Sequence, residues 1–149
     1  MKVYRNDAVR MTDSATIYRY IHGGRGVVDL IAPSGNFHTY AFRRPLNSSE
    51  FPDDIIFVFA VHEDTKLLYI GVLDGDQFRL TQNSRFLEDT DIVKGAKWIV
   101  KMSKNPKFAA ESKMVLRHLG MCGRCGRHLT DEKCLQIGFG KKCLQKETC

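Results

Sequence analysis

The first 121 residues of this 149-residue chain contain no cysteine, so no thiolate metal site or disulfide can form within them. Nor does the chain contain an apolar run approaching the ~18 residues of a membrane-spanning helix, which excludes a helical span. The amino terminus, Met1 to Asp7, carries an acid early and has no apolar stretch, so it does not read as a secretory leader, and the cytoplasm is the expected location. Several catalytic patterns are also missing: His-Glu-x-x-His, a phosphate loop, the dinucleotide glycine pattern and a nucleophile elbow. The only candidates for acid–base work are His22 and His38 with Asp29, or His62 with Glu63 and Asp64. All of them lie in or beside turns and strands, where solvent-facing and sheet-packing roles are common. A small enzyme with a His/Asp site in the β-rich part is therefore the minor reading.

The composition is that of a soluble folded protein, 43% apolar and 27% charged. Charge is unevenly placed within the net of +6. Residues 1–90 hold 10 basic and 12 acidic side chains, a net of −2, whereas residues 91–149 hold 13 and 5, a net of +8. A basic carboxy-terminal third attracts nucleic acid or an acidic protein face; it is equally what a lysine-rich solvated helix gives.

From about residue 20 to 80 the pattern is that of a strand meander. The turn signals His22–Gly26 and Pro33–Asn36 bracket the β-branched run Val27–Ile31, and Phe37–Phe42 follows. The stretch 43–54, rich in Pro, Asn, Ser and Asp, reads as a long loop. Ile55–Val61 is apolar throughout, as a strand covered on both faces would be, and a turn at His62–Thr65 leads into Lys66–Val72. Asp74-Gly75-Asp76 marks a tight turn before Gln77–Leu80.

A helix is expected from Thr90, which caps it, with Ile92, Ala96, Ile99 and Val100 on one face and Lys94, Lys97, Lys101 and Lys104 outside. Trp98 reads as a packing residue before a base-stacking one. Asn105-Pro106 stops this helix and starts a second, with Phe108, Ser112, Val115, Leu116 and Leu119 on one face and Gly120 closing it. The expected fold is α+β: a small, mostly antiparallel meander of about five strands with one or two helices over residues 1–105. Residues 106–149 then supply a linking helix and a zinc-ribbon-like module.

That module rests on the spacing Cys122-x2-Cys125-x8-Cys134-x8-Cys143. Two residues between thiolates let both sulfurs face one ion, and Gly123 and Gly126 relieve the turn. Four thiolates close a zinc site to water and substrate, so one structural Zn2+ per chain is expected, bound by Cys122, Cys125, Cys134 and Cys143. The tail offers few apolar groups: Leu129, Leu135, Ile137, Phe139 and Leu144. Zinc would supply on the order of 10 kcal/mol toward ordering it. A redox role for Cys122 and Cys125, or replacement of one thiolate by His118 or His128, remains open at this point, and Cys149 reads as a spare thiol.

The string Cys122-Gly123-Arg124-Cys125-Gly126-Arg127-His128-Leu129-Thr130-Asp131, with Gly138-Phe139-Gly140 and Cys143, resembles the DUF6011 family of small phage and actinobacterial zinc-ribbon-like modules. Lys141 stands where that family usually has proline, and Cys134 stands near its serine. The resemblance implies a module and a bacteriophage origin but no activity. The leading expectation is a non-catalytic binding protein that contacts nucleic acid through Arg124, Arg127, Lys133, Lys141 and Lys142. The alternative is an adaptor or inhibitor docking on an acidic surface of a host enzyme.

Overall fold

The computed structural model describes residues 2–46, 51 and 54–145. Cys149 and the centre of the 43–54 loop lie outside the described residues. The fold is α+β: a seven-stranded, antiparallel sheet with five α-helices and a cysteine cluster near the carboxy terminus. In chain order the strands are β1 (Val9–Arg10), β2 (Arg25–Ile31), β3 (Phe37–Arg43), β4 (Ile55–His62), β5 (Lys66–Asp74), β6 (Gln77–Leu80) and β7 (Val115–His118). The helices are α1 (Ser14–Ile21), α2 (Asp91–Lys104), α3 (Pro106–Glu111), α4 (Glu132–Ile137) and α5 (Lys141–Gln145).

The meander over residues 25–80 follows the expected boundaries closely, because period-2 patterning and turn residues agree there. The three-residue β4–β5 loop places Glu63 and Asp64 at φ 53° and 60°, the left-handed backbone of a primed turn, which the Thr65 N–H closes on the His62 carbonyl at 3.2 Å. Other elements differ from expectation. Residues 5–21, in which the sequence shows no clear periodicity, form a short 3-10 turn (Arg5–Asp7), β1 and α1, the last capped by Asp13, which accepts from the Thr16 N–H at 2.9 Å. The helix expected to run to Leu119 ends at Glu111. Ser112 ends it: its hydroxyl accepts from the Met114 N–H and the Trp98 indole and donates to the Met114 carbonyl, turning the chain.

The following residues, Val115–His118, are a strand buried on alternate positions, with Leu116 and His118 inward. Apolar positions 115, 116 and 119 suit a helical period, but 116 and 118 also suit a strand, and the vacant slot between β1 and β2 decides. β7 fills it, pairing antiparallel with both neighbours, so the sheet draws strands from both sides of residue 105.

One face of the sheet is the core. Val28, Leu30, Tyr40, Phe42 and Leu116 pack there against Ile17 of α1 and Ile99 of α2. The other face is thinly covered: Val27, Ala41, Leu119 and Met121 are buried beneath the amino-terminal residues Val3, Tyr4 and Ala8. On this second face Asp29 has no solvent exposure and accepts from Arg5, Arg117 and Thr39, at 2.6 Å from the last. Arg5 also reaches Asp64 in the β4–β5 turn, and these two carboxylates hold its guanidinium protonated beyond its ordinary range, against the pull of burial. No helix among the described residues is long and apolar enough to cross a membrane.

Replacing Asp29 with Ala would leave two guanidiniums facing a cavity without their shared anion. The expected loss is about 3 kcal/mol, the lower end for breaking a buried pair because both arginines reach water. Urea denaturation of the D29A variant measures it, and an unchanged midpoint would show that the cluster contributes nothing.

Candidate metal centre

After β7 the chain passes Gly120, at φ +77°, and enters a compact loop. Cys122 N–H donates to the Arg127 carbonyl at 2.8 Å, and the Gly126 N–H donates to the Cys122 carbonyl at 2.9 Å, closing the knuckle. Met121 and His128 form a bridge across its base. The second half begins at Asp131, whose carboxylate caps α4 by accepting from the Cys134 N–H at 3.3 Å. It turns at Gly138, φ +79°, and returns along α5.

These turns bring Cys122, Cys125 and Cys143 together, their sulfurs all within 4.8 Å of one another. Tetrahedral zinc with bonds of ~2.3 Å requires sulfurs about 3.8 Å apart, so the spacing is close to that of a shared ion; Cys143 is disulfide-bonded in the structure and could join as a thiolate only once reduced. The donor set is suited to a soft or borderline cation. Burial opposes ionisation of Cys122, yet the backbone N–H groups of Gly140, Cys125 and Arg124 outweigh it and draw its thiol below the ordinary range. The Gly140 N–H lies 3.4 Å from Cys122 Sγ. Cys125 is pushed up, by burial first and then by sharing a proton with its neighbour. Such N–H···S contacts are the support that a metal-bound thiolate uses.

Cys134 is not part of this trio. It is buried on α4 beside the same apolar cluster, its thiol pushed up by burial and by the Asp131 carboxylate it faces. The structure therefore carries three of the four expected sulfurs in one group. Neither histidine substitutes for the fourth. His118, fully buried, places Nε2 2.6 Å from the Leu135 carbonyl and Nδ1 3.1 Å from the Gly120 N–H. Nε2 thus donates, Nδ1 accepts, and the ring is neutral; burial holds its pKa below the usual value, the Leu135 carbonyl opposing. His128 stacks flat on Tyr4, centroids 3.6 Å apart, with Nε2 2.6 Å from Asp7.

The tail is not a separate bead on a linker. Tyr20 of α1 is fully buried, its hydroxyl donates to the Met121 carbonyl at 2.8 Å, and its ring lies between His118 and Phe139. Leu129, Phe139, Cys122 and Cys134 belong to the same buried cluster as Ile17 and Leu116. Sequence reading missed this anchor because Tyr20 sat in a stretch without clear periodicity.

Of the expected contact residues, Arg127, Lys133, Lys141 and Lys142 are exposed and Arg124 is half-buried. The knuckle meets the sheet at Arg25, whose N–H donates to the Gly123 carbonyl at 2.9 Å and whose guanidinium lies against Gly126. Arg25 pairs directly across the strands with Arg43, and Arg44 follows. The lysines of α2 are exposed as expected, although Lys97 pairs with Glu88 at 2.7 Å and Lys101 sits 4.4 Å over the Phe108 ring. Trp98 packs on Phe108 and donates to Ser112, a structural role.

The histidine candidates do not converge as a set. His22 bonds the Tyr18 and Gly75 carbonyls, and Asp29 is spent on arginines. His38 and His62 do line one cavity of about 490 Å³, with Arg5, Glu63 and Asp64, where β3 and β4 are no longer paired beyond Tyr40 and Ala60. The Asp64 carboxylate there is engaged by Arg5.

Because His118 is held neutral, the unfolded chain takes up a proton as pH falls below about 6.5 that the folded chain resists. Stability is therefore expected to fall with pH below that value, and less steeply in the His118→Gln variant. Parallel thermal melts between pH 7.5 and 5 check this; identical slopes would remove the neutral ring from the account.

No match was found between this chain and protein-family models, curated proteins or solved structures, so what the site does has to be argued from its geometry.

Proposed function

We propose that the protein is a non-catalytic, zinc-containing nucleic-acid-binding protein, and that the knuckle serves to hold arginines against the sheet. The observation that carries this reading is the junction of Arg25 with the knuckle. There Arg25 and Arg43 stand directly opposite each other, Arg44 follows, and Arg124 and Arg127 flank the loop that touches Arg25. Arg43 lies partly buried, its pKa lowered by burial first and by the Arg25 charge second. Guanidiniums gathered in one place bind phosphates with paired hydrogen bonds.

In this reading zinc is structural. Cys122 and Cys125 supply two thiolates, Cys143 supplies a third once its disulfide is reduced, and Cys134 supplies the fourth by turning its sulfur from Asp131 toward them. Bound zinc would fix the knuckle and, through it, the position of Arg124 and Arg127. Lys133, Lys141 and Lys142 add phosphate contacts that carry no sequence information.

Reduced protein is expected to contain one zinc per chain by elemental analysis. With cobalt(II) in its place, thiolate charge-transfer absorbance should drop by about a quarter in the Cys134→Ser variant, as four thiolates become three. An unchanged spectrum would leave Cys134 outside the site. Binding of a labelled oligonucleotide should weaken linearly in log–log form with added salt, and the slope should shrink when Arg124 and Arg127 are changed to Gln. No binding at low salt would end the nucleic-acid reading.

A further inference from the structure

Cys143 belongs to two arrangements that exclude each other. Its sulfur lies within 4.8 Å of those of Cys122 and Cys125, close to the spacing of a shared ion, and it is also disulfide-bonded. Cys122, Cys125 and Cys134 are free. A sulfur bonded to another sulfur carries no thiolate charge, and the thiolate is the form that binds zinc. The disulfide and a four-thiolate zinc site are therefore alternative states of one group of sulfurs. A disulfide that served only to staple the tail gains nothing from lying among free thiols, each of which is a route to its exchange.

Burial orders these sulfurs by access. Cys122 has no solvent exposure, Cys134 and Cys143 are 6% and 7% exposed, and of the four only Cys125 is half-buried. Cysteines that respond to small oxidants and reductants are accessible and stand beside a second, resolving cysteine. Cys125 and Cys122 have that relation, and the backbone holds it, since the Gly126 N–H donates to the Cys122 carbonyl and the Cys122 N–H to the Arg127 carbonyl. The loop that carries them is fastened to the sheet and to α1 without any sulfur. The Arg25 N–H donates to the Gly123 carbonyl at 2.9 Å, and the Tyr20 hydroxyl to the Met121 carbonyl at 2.8 Å. The Gly123 N–H donates to the Gly138 carbonyl at 2.8 Å, which ties in the second half of the module. An isolated ribbon unfolds when its ion leaves. Here the anchoring contacts are common to both sulfur states, so the loop keeps its place in each.

We infer that the cysteine cluster is a thiol–disulfide switch, in which small thiols and disulfides acting at Cys125 decide whether its sulfurs hold zinc. This rests on the zinc reading above and deepens it by naming what regulates the site. Toward the zinc-binding state, the Cys122 thiolate attacks Cys143 Sγ and a Cys122–Cys143 bond forms. The sulfur previously bonded to Cys143 leaves as a thiolate and takes up the proton that Cys122 gave up. Cys125 then attacks Cys122 Sγ, forming Cys122–Cys125 and releasing Cys143 as a thiol. The disulfide has moved from a buried position to one that a small thiol reaches. One such thiolate attacks Cys125 Sγ and frees Cys122; a second attacks the sulfur left on Cys125 and frees that residue too. The protein has gained two electrons and two protons, and two small thiols have left as one disulfide. A small disulfide drives the same steps in reverse, and bound zinc departs as its thiolates are consumed.

The experiment equilibrates full-length protein and zinc with reduced and oxidised glutathione at a series of ratios. Alkylation and intact mass count the thiols, peptide mapping places the disulfide, and gel filtration with elemental analysis gives bound zinc. Circular dichroism follows the fold. Bound zinc is expected to fall from one per chain to none over the same range in which two thiols per chain disappear. The disulfide should map to Cys143, the dichroism should hold, and added reductant should restore the zinc. In zinc-free protein, Cys125→Ser should slow the loss of thiols to oxidised glutathione about tenfold.

Zinc that stays bound while two thiols disappear, or thiols that persist at every ratio, would overturn the switch and leave the zinc site standing. An unchanged rate in Cys125→Ser would overturn the entry point and the relay with it. If fully reduced protein takes up no zinc, the zinc reading itself fails. Should Cys125→Ser not fold, the first mixed disulfide with glutathione in the wild-type chain serves instead. It must form on Cys125, and its appearance on another cysteine would count against the switch.

Discussion

The position of one phenol governs how this molecule is assembled. Tyr20 has no solvent exposure, and added Cβ atoms at Gly26, Gly123 and Gly138 would each lie within 2.8 Å of its ring. Three different segments, namely β2, the knuckle and the turn after α4, therefore approach the ring at backbone distance. Its hydroxyl donates to the Met121 carbonyl in the residue before the first cysteine. Burial pushes the phenol's ionisation upward, so it stays a donor throughout the physiological range. Through this contact the cysteine loop inherits the rigidity of the sheet. A tail that on composition alone lacks enough apolar surface to order itself gains that surface from α1 and β7.

That arrangement changes what a metal ion bound there would do. In an isolated ribbon the ion holds the entire fold. Here Cys122, Cys125 and Cys143 already converge on a loop pinned by a backbone hydrogen bond from Arg25 and by the Tyr20 ring. An ion shared by these sulfurs would then contribute locally, fixing the turn between Cys122 and Cys125 and drawing α5 against it. The neutral His118 ring works in the same direction, joining β7 to the end of α4 through its two nitrogens.

The sheet core was legible in the sequence where two signals coincided. Alternation in 37–42, an apolar run at 55–61 and turn residues at 62–65 and 74–76 each named a strand or turn that the structure contains. The cysteines were legible because their spacing is discrete. What was not legible depended on pairing between distant segments. β1 is two residues long and exists only because β7 lies beside it. β7 reads equally well as the last turns of a helix until its slot in the sheet is known. Arg25 and Arg43, 18 positions apart in the chain, carry no pattern of their own and become a cluster only through strand register.

That register also gathers side chains that no local pattern names. Within one groove, cations face each other across β2 and β3, with half-covered rings on the next strand. Farther along the same face, Arg5, Arg117 and Thr39 close around a buried Asp29. One surface thus holds two arginine groups, one of them organised around a carboxylate of the sheet itself. That carboxylate fastens the amino terminus to β2, because Arg5 belongs to the segment that covers Val27 and Ala41.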